Sequence, residues 1–81
     1  MNIYVGNLNY RIREYDLKAV MERFGTVDSV KIVKDRDTGR SKGFAFVEMQ
    51  EDDEARRAID ELNEKEFEGR KMVVKEAIPR N

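Results

Sequence analysis

Three aromatic side chains occupy positions where a strand would present them on one face. Phe44 and Phe46 flank the small residue Ala45 in one run of strand-forming residues, and Tyr4 lies in another. Because successive side chains of a strand point to opposite faces, each run separates an aromatic set from an aliphatic set. Flat rings on an exposed face can stack on nucleobases, since every base offers a π-face.

The chain lacks the residue types on which most catalytic and metal chemistry depends. It contains neither cysteine nor histidine, which removes thiolate nucleophiles, disulfides and the commonest general base. The acidic run at residues 51–54 lacks the spacing of a calcium loop. We therefore expect no enzyme, no metal and no cofactor. No long apolar run is present, so we expect no membrane span and a cytoplasmic location.

Apolar periodicity predicts four strands and two helices. Strands are expected at residues 3–5, 27–33, 44–49 and 72–74, with a minor extended piece around Phe67. Helical spacing predicts two amphipathic faces, formed by Leu17, Val20, Met21 and Phe24 and by Ala55, Ala58, Ile59 and Leu62. The first helix should begin near Arg13, a poor N-cap, with Ile12 and Leu17 as a hydrophobic staple. Gly25 is expected to stop that helix as its C′ residue.

The order β-α-β-β-α-β predicts an α+β, ferredoxin-like fold. In this fold a four-stranded antiparallel sheet carries two helices on one face. With 81 residues the chain has room for one small domain, which we expect at residues 1–78, followed by a short C-terminal tail at 79–81.

The aromatic set is expected on the sheet face that has no helix to cover it. The small and aliphatic set fits closely beneath helices, and exposed apolar patches usually mark binding sites. The alternative is that the rings belong to an ordinary core covered by a partner or a C-terminal extension. Few residues follow Val74, so the chain itself offers little cover.

Two short motifs resemble those of a known family. Residues 42–49, KGFAFVEM, match the RNP1 pattern of the RNA recognition motif except at the end, where Met49 replaces an aromatic residue. Met49 belongs to the inward set, so this departure concerns packing. Residues 3–8, IYVGNL, resemble RNP2 with Tyr4 at its aromatic position. The chain thus resembles this family over essentially its whole length, and it resembles its small stand-alone bacterial members.

The resemblance implies single-stranded RNA as the partner. Tyr4 and Phe46 would each stack on a base, Phe44 would pack against sugar rings, and Lys42 would contact a phosphate. Further residues expected to contact RNA on the same face are Asn2, Lys31, Lys75 and the backbone near Ala77.

The overall charge is unusual for a nucleic-acid binder, which is expected to be basic. The net charge is −1, and the pI is about 5.5. Residues 51–68 carry nine acidic residues against three basic ones, whereas residues 31–42 carry five basic residues against two acidic ones. We expect the acidic surplus to form a solvated helix face. Arg36 and Arg40 are expected to form a phosphate clamp in the second turn, although an ordinary polar loop is nearly as well supported.

Two other functions stay open on these residues. The acidic second helix or the sheet face could instead bind a protein, and the rings could bind single-stranded DNA. We expect the protein to be a monomer. We expect a Kd for RNA of about micromolar or weaker, because the stacking of two or three bases must also offset the cost of ordering the RNA and the side chains.

Overall fold

Residues 1–78, which this computed structural model describes, form two helices and six short or medium strands. The elements are β1 (Asn2–Gly6), α1 (Glu14–Met21), β2 (Val27–Lys34), β3 (Ser41–Met49), α2 (Asp52–Leu62), β4 (Glu66–Phe67), β5 (Arg70–Lys71) and β6 (Val73–Glu76). The expected tail at 79–81 lies outside the described residues. No helix in the described range is long and apolar enough to cross a membrane.

The main sheet is antiparallel with the strand order β2-β3-β1-β6. This order confirms the ferredoxin-like α+β prediction. β4 and β5 form a separate two-stranded hairpin, which is the minor extended piece expected around Phe67. The two strands with RNP-like sequences, β1 and β3, are central, so each has a neighbour on both sides.

One hydrophobic core lies between the sheet and the two helices. The inward side chains of β1 and β3 are almost completely buried there, Met49 among them at 0% exposure. Leu17 and Met21 of α1, and Ala55 and Ala58 of α2, pack into the same cluster. The small alanine side chains let α2 approach the sheet closely. Both helices thus bury their apolar faces against the same side of the sheet.

The start of α1 is as predicted, but its end is not. Arg13 is the N-cap residue, and its backbone N–H donates to the Asp16 carboxylate at 3.0 Å. α1 ends at Met21, and the next turn tightens because the Phe24 N–H donates to the Met21 carbonyl three residues back. The expected C′ role of Gly25 is therefore wrong.

Gly25 has a different function in the fold. Its backbone is not in the left-handed region that a C′ glycine adopts. Instead, a Cβ at Gly25 would collide with the side chain of Glu54, which accepts a hydrogen bond from the Thr26 N–H at 3.2 Å. The glycine thus makes room for a contact between α2 and the start of β2.

The start of β3 and the position of Met72 also differ from the predictions. β3 begins at Ser41, three residues early, because Gly43 adopts a φ of +82° that lets the strand continue through an irregular position. Met72 precedes β6 and is buried. Its N–H donates to Lys65 and its carbonyl accepts from Glu64, both at 2.9 Å, which fastens the hairpin to the end of α2.

Candidate nucleic-acid interface

Three aromatic rings form one cluster at the centre of the main sheet. Tyr4 is directly opposite Phe46 in the pairing of β1 with β3, and Phe44 is two residues earlier on the same face of β3. The Tyr4 centroid lies 5.9 Å from each phenylalanine centroid, and the two phenylalanines are 6.2 Å apart. These separations are typical of aromatic pairs in contact, so the three side chains form a continuous apolar surface, called the ring face below.

The ring face lies on the side of the sheet opposite the helices. Phe46 is 42% exposed, and Tyr4 and Phe44 are half-buried, whereas the residues between them are in the core. The expectation that the aromatic set faces outward is thereby confirmed. The three rings contact one another at angles of 33°, 62° and 90°, so each is partly covered by its neighbours while part of its surface stays open.

Gly6 makes space for one of these rings. A Cβ at Gly6 would lie 2.5 Å from the Tyr4 Oη and 2.7 Å from Cε1. The ring of Tyr4 therefore leans along its own strand and covers the backbone of Gly6. Any larger residue at this position would move the ring.

Most of the predicted polar residues of the sheet share the ring face. Lys75 pairs with Tyr4 in the register, and its Nζ lies 5.4 Å from the Tyr4 ring centroid. Lys31 pairs with Phe46, so it also lies beside a ring. Asn2 is exposed two residues before Tyr4 on β1, opposite Glu48, which brings a carboxylate to that end of the face.

The backbone N–H of Ala77, where a contact with RNA was expected, already has a hydrogen-bond partner within the fold. The Ala77 N–H donates to the Asn2 carbonyl at 2.8 Å and so extends the pairing beyond β6. This donor is engaged within the fold. A contact with a base edge at Ala77 would have to use a carbonyl group instead.

The loop between β2 and β3 has a defined shape. The Asp35 carboxylate accepts hydrogen bonds from the N–H groups of Thr38 at 3.1 Å and Asp37 at 2.8 Å. These backbone donors, that of Thr38 foremost, hold the pKa of Asp35 below its ordinary value. Arg36 and Arg40 are exposed on this ordered loop, beyond the rings.

Lys42 lies closer to the rings than the two arginines do. It lines a shallow concavity of about 170 Å³ together with Tyr4 and Phe44. The structure therefore brings Lys42 to one end of the ring face. Arg36 and Arg40 do not line this concavity.

Two residues of the same concavity were not singled out from the sequence. Tyr10 and Arg70 both line it, and the Arg70 guanidinium carbon lies 5.8 Å from the Tyr10 ring centroid. Arg70 also donates to Asn7 Oδ1 at 2.6 Å. Tyr10 and Arg70 are sixty positions apart in the chain, so only folding brings them together. The available signal was the aromatic residue beside Arg11, two positions after the RNP2-like run.

Within residues 1–78, no group of three or more His, Cys, Asp or Glu side chains is placed to hold a metal ion.

The fold agrees with comparisons to known proteins. The family model for the RNA recognition motif matches residues 3–73. RbpD of Nostoc sp., which is named for RNA binding, is 54% identical over 80 residues, 99% of this chain and 85% of RbpD. RbpA of Synechocystis sp., named in the same way, is 48% identical over 99% of this chain and 79% of its own length. The chain belongs to the RNA recognition motif family.

Solved structures give the same result. The crystal structure of RNA binding protein PG1 has a TM-score of 0.96 at 58% identity, covering 100% of this chain and 98% of that one. The structure of the Rna15 RRM with bound RNA (GU) has a TM-score of 0.84 at 28% identity, covering 94% of this chain and 81% of the other. The expected resemblance to small bacterial members of the family is confirmed by the two cyanobacterial relatives.

Proposed function

We propose that this protein binds short single-stranded RNA on its ring face. The observation that carries the proposal is the exposed cluster of Tyr4, Phe44 and Phe46 at the centre of the sheet, in a chain of this family. Single-stranded bases can spread out on such a surface and stack on its rings. The Rna15 domain, solved with bound RNA, has the same fold.

Each ring has a separate role in the proposal. Phe46 is the most exposed of the three and stacks on one base, and Tyr4 stacks on a second. Phe44 meets Phe46 edge to face, with 90° between the ring planes, and packs against sugar rings between the two nucleotides. This geometry supports a footprint of two or three nucleotides.

Polar residues around the rings orient the strand. Lys42 contacts a phosphate beside Phe44, and Lys75 reads a base edge beside Tyr4. The residues Asn2, Lys31, Arg36 and Arg40 contribute further contacts from the same face and from the β2–β3 loop. With about two or three phosphates bound, the slope of log affinity against log salt is about −0.7 for each contact.

The remaining parts of the proposal concern how the protein acts. We propose that it binds RNA as a monomer, without catalysis, in the cytoplasm. Stacking does not require a 2′-hydroxyl, whereas polar contacts can recognise one. A single-stranded DNA of the same sequence, used as a competitor, separates the two contributions.

The test is the variant Phe46→Ala. An RNA is first selected from a randomised pool and then titrated by fluorescence anisotropy. The variant should lose about 1–3 kcal/mol of affinity, or about 5- to 150-fold in Kd. Its melting temperature should stay close to that of the wild type because Phe46 lies outside the core. Arg57→Ala, on the exposed surface of α2, is a control that should bind normally.

Unchanged RNA affinity in Phe46→Ala would contradict the proposal. Capture of a protein that survives both this substitution and nuclease treatment would instead support a protein-interaction function.

A further inference from the structure

A wide groove adjoins the ring face at the end where Lys42 lies. One wall runs from Tyr10 in the β1–α1 connection to Tyr15 in the first turn of α1. The other is formed by the end of β2, the end of the β2–β3 loop and the start of β3. Its volume is about 1490 Å³. Small-molecule sites typically enclose about 300–1,000 Å³, so the groove suits a stretch of polymer better than one small ligand.

The groove is strongly basic. Its basic lining residues are Arg11, Arg13, Lys34, Arg40 and Lys42. Glu14 is the one carboxylate among the lining residues, and it accepts a hydrogen bond from the Ile32 N–H at 3.1 Å. In the described part of the chain, the sole ion pair joins the Met1 amino group to Asp52, and neither residue lines this groove. No groove cation forms an ion pair with a carboxylate of residues 1–78, and Asp35, whose pKa Lys42 also helps to lower, does not line the groove.

Two exposed tyrosines lie among these cations. Tyr10 is 64% exposed and Tyr15 is 66% exposed, which makes them the most exposed rings in the described residues. Cations interleaved with exposed rings are the combination that binds single-stranded nucleic acid, because the cations meet phosphates and the rings meet bases. A polar loop kept soluble by charge would not need two large exposed aromatics.

The groove is continuous with the ring face. Tyr10 and Lys42 line both the groove and the concavity beside Tyr4 and Phe44. The ring of Tyr10 lies close to Gly43, where an added Cβ would be 3.0 Å from Cε1. An RNA strand that extends from the rings past Lys42 therefore enters the groove directly.

We propose that this groove is a second RNA subsite, which holds the nucleotides on one side of the segment stacked on the ring face. The proposal rests on the proposed function and extends it to a longer RNA footprint. Arg11 and Arg13 contact phosphates of the flanking segment, and Tyr15 stacks on one of its bases. The groove also accounts for how a chain with a net charge of −1 attracts a polyanion, since its cations are concentrated along one path.

The experiment compares RNAs that differ in length. The selected core of about three nucleotides is compared with versions extended to about ten nucleotides, on the 5′ side alone or on the 3′ side alone, within the site sizes known for such surfaces. Because the groove adjoins only one end of the ring face, one extension should increase affinity several-fold and the other should not.

The variant Arg11→Gln/Arg13→Gln tests the groove directly. It should abolish the gain from the extension, make the log–log salt slope for the extended RNA shallower by about 1.4, and leave core binding unchanged. Folding should be retained, since Arg13 caps α1 through its backbone N–H. Tyr15→Ala should also reduce the gain. The matched control is Arg56→Gln/Arg57→Gln on α2, which removes the same charge and should leave every affinity unchanged.

The outcomes separate the two proposals. If the core RNA binds but neither extension adds affinity, the groove subsite is refuted and the ring face stands. If the core RNA fails to bind, the proposed function itself fails. If the Arg11/Arg13 variant and the Arg56/Arg57 variant lose equal RNA affinity, long-range charge alone explains the loss and the subsite is refuted. The subsite is also refuted if the groove variant changes the sedimentation of the free protein but not its RNA affinity, which would indicate self-association.

Discussion

Replacing Gly6 by alanine is expected to weaken RNA binding by moving the ring of Tyr4. The added Cβ would lie 2.5 to 2.8 Å from three atoms of that ring, whereas carbon atoms in contact are about 3.5–4.0 Å apart. The ring must therefore move by about 1 Å. It can do so without displacing the backbone, because the three atoms belong to the free end of a side chain. Gly6 is also outside the left-handed region, so alanine suits its backbone.

The expected loss is that of one stacked base, about 1–3 kcal/mol of binding free energy. The cost in folding stability should be about 1 kcal/mol or less, toward the low end of what overpacking causes, because Tyr4 can move outward into solvent. Anisotropy titrations of Gly6→Ala, Tyr4→Ala and the double variant form a double-mutant cycle. In the Tyr4→Ala background, Gly6→Ala should cause no further loss of affinity.

Two results would refute this reasoning. Wild-type affinity in Gly6→Ala would show that RNA binding does not depend on the position of the Tyr4 ring. Equal losses in the presence and absence of the Tyr4 ring would show that the substitution acts through the backbone of β1.

Two further predictions concern the β2–β3 loop and its junction with β3. Gly39→Ala should cost about 1–2 kcal/mol of folding stability because of its φ of +72°, and no atom lies within 4 Å of the new Cβ. Gly43→Ala has a similar φ, and its Cβ would also press on the Tyr10 ring. Chemical denaturation should therefore show a larger loss of stability for Gly43→Ala than for Gly39→Ala. Equal losses would contradict the contact with Tyr10. The Asp35 carboxylate, titrated by NMR, should have a midpoint below the ordinary aspartate pKa, since backbone donors hold its charged form. Because the folded pKa is the lower one, this stabilisation is complete above the unfolded-state pKa and disappears as the pH falls through the folded value. An ordinary or raised midpoint would contradict the hydrogen bonds in the loop.

The division between ring face and core was predictable from the sequence. Side chains alternate along a strand through local backbone geometry alone, so Phe44 and Phe46 had to lie on one face and Ala45 on the other. The number of helices implied that one face would stay open, and the small and aliphatic side chains of the other set indicated which face the helices cover. The RNP-like runs then indicated the family, and both conclusions agree with the structure.

The end of α1 was less predictable. Phe24 continues the helical spacing of apolar residues and packs against the core, but it does so from a turn after the helix. The spacing of apolar residues predicts which side chains are buried, but it does not predict whether the backbone that carries them is helix or turn. The side chain of Glu54 occupies the space beside Gly25, and nothing local to α1 encodes that contact.

The sequence by itself determined the class of fold and the face shared by the central rings, because strand alternation and helical spacing are local properties. The cations nearest to the rings were implied by the resemblance to the family. Only the tertiary structure decided what surrounds the rings. The pairing of Tyr4 with Phe46, the placement of Arg70 over Tyr10 and the groove beside Lys42 each join segments far apart in the chain. Such contacts depend on strand register and loop packing, which are set by the whole core and not by any short run of residues.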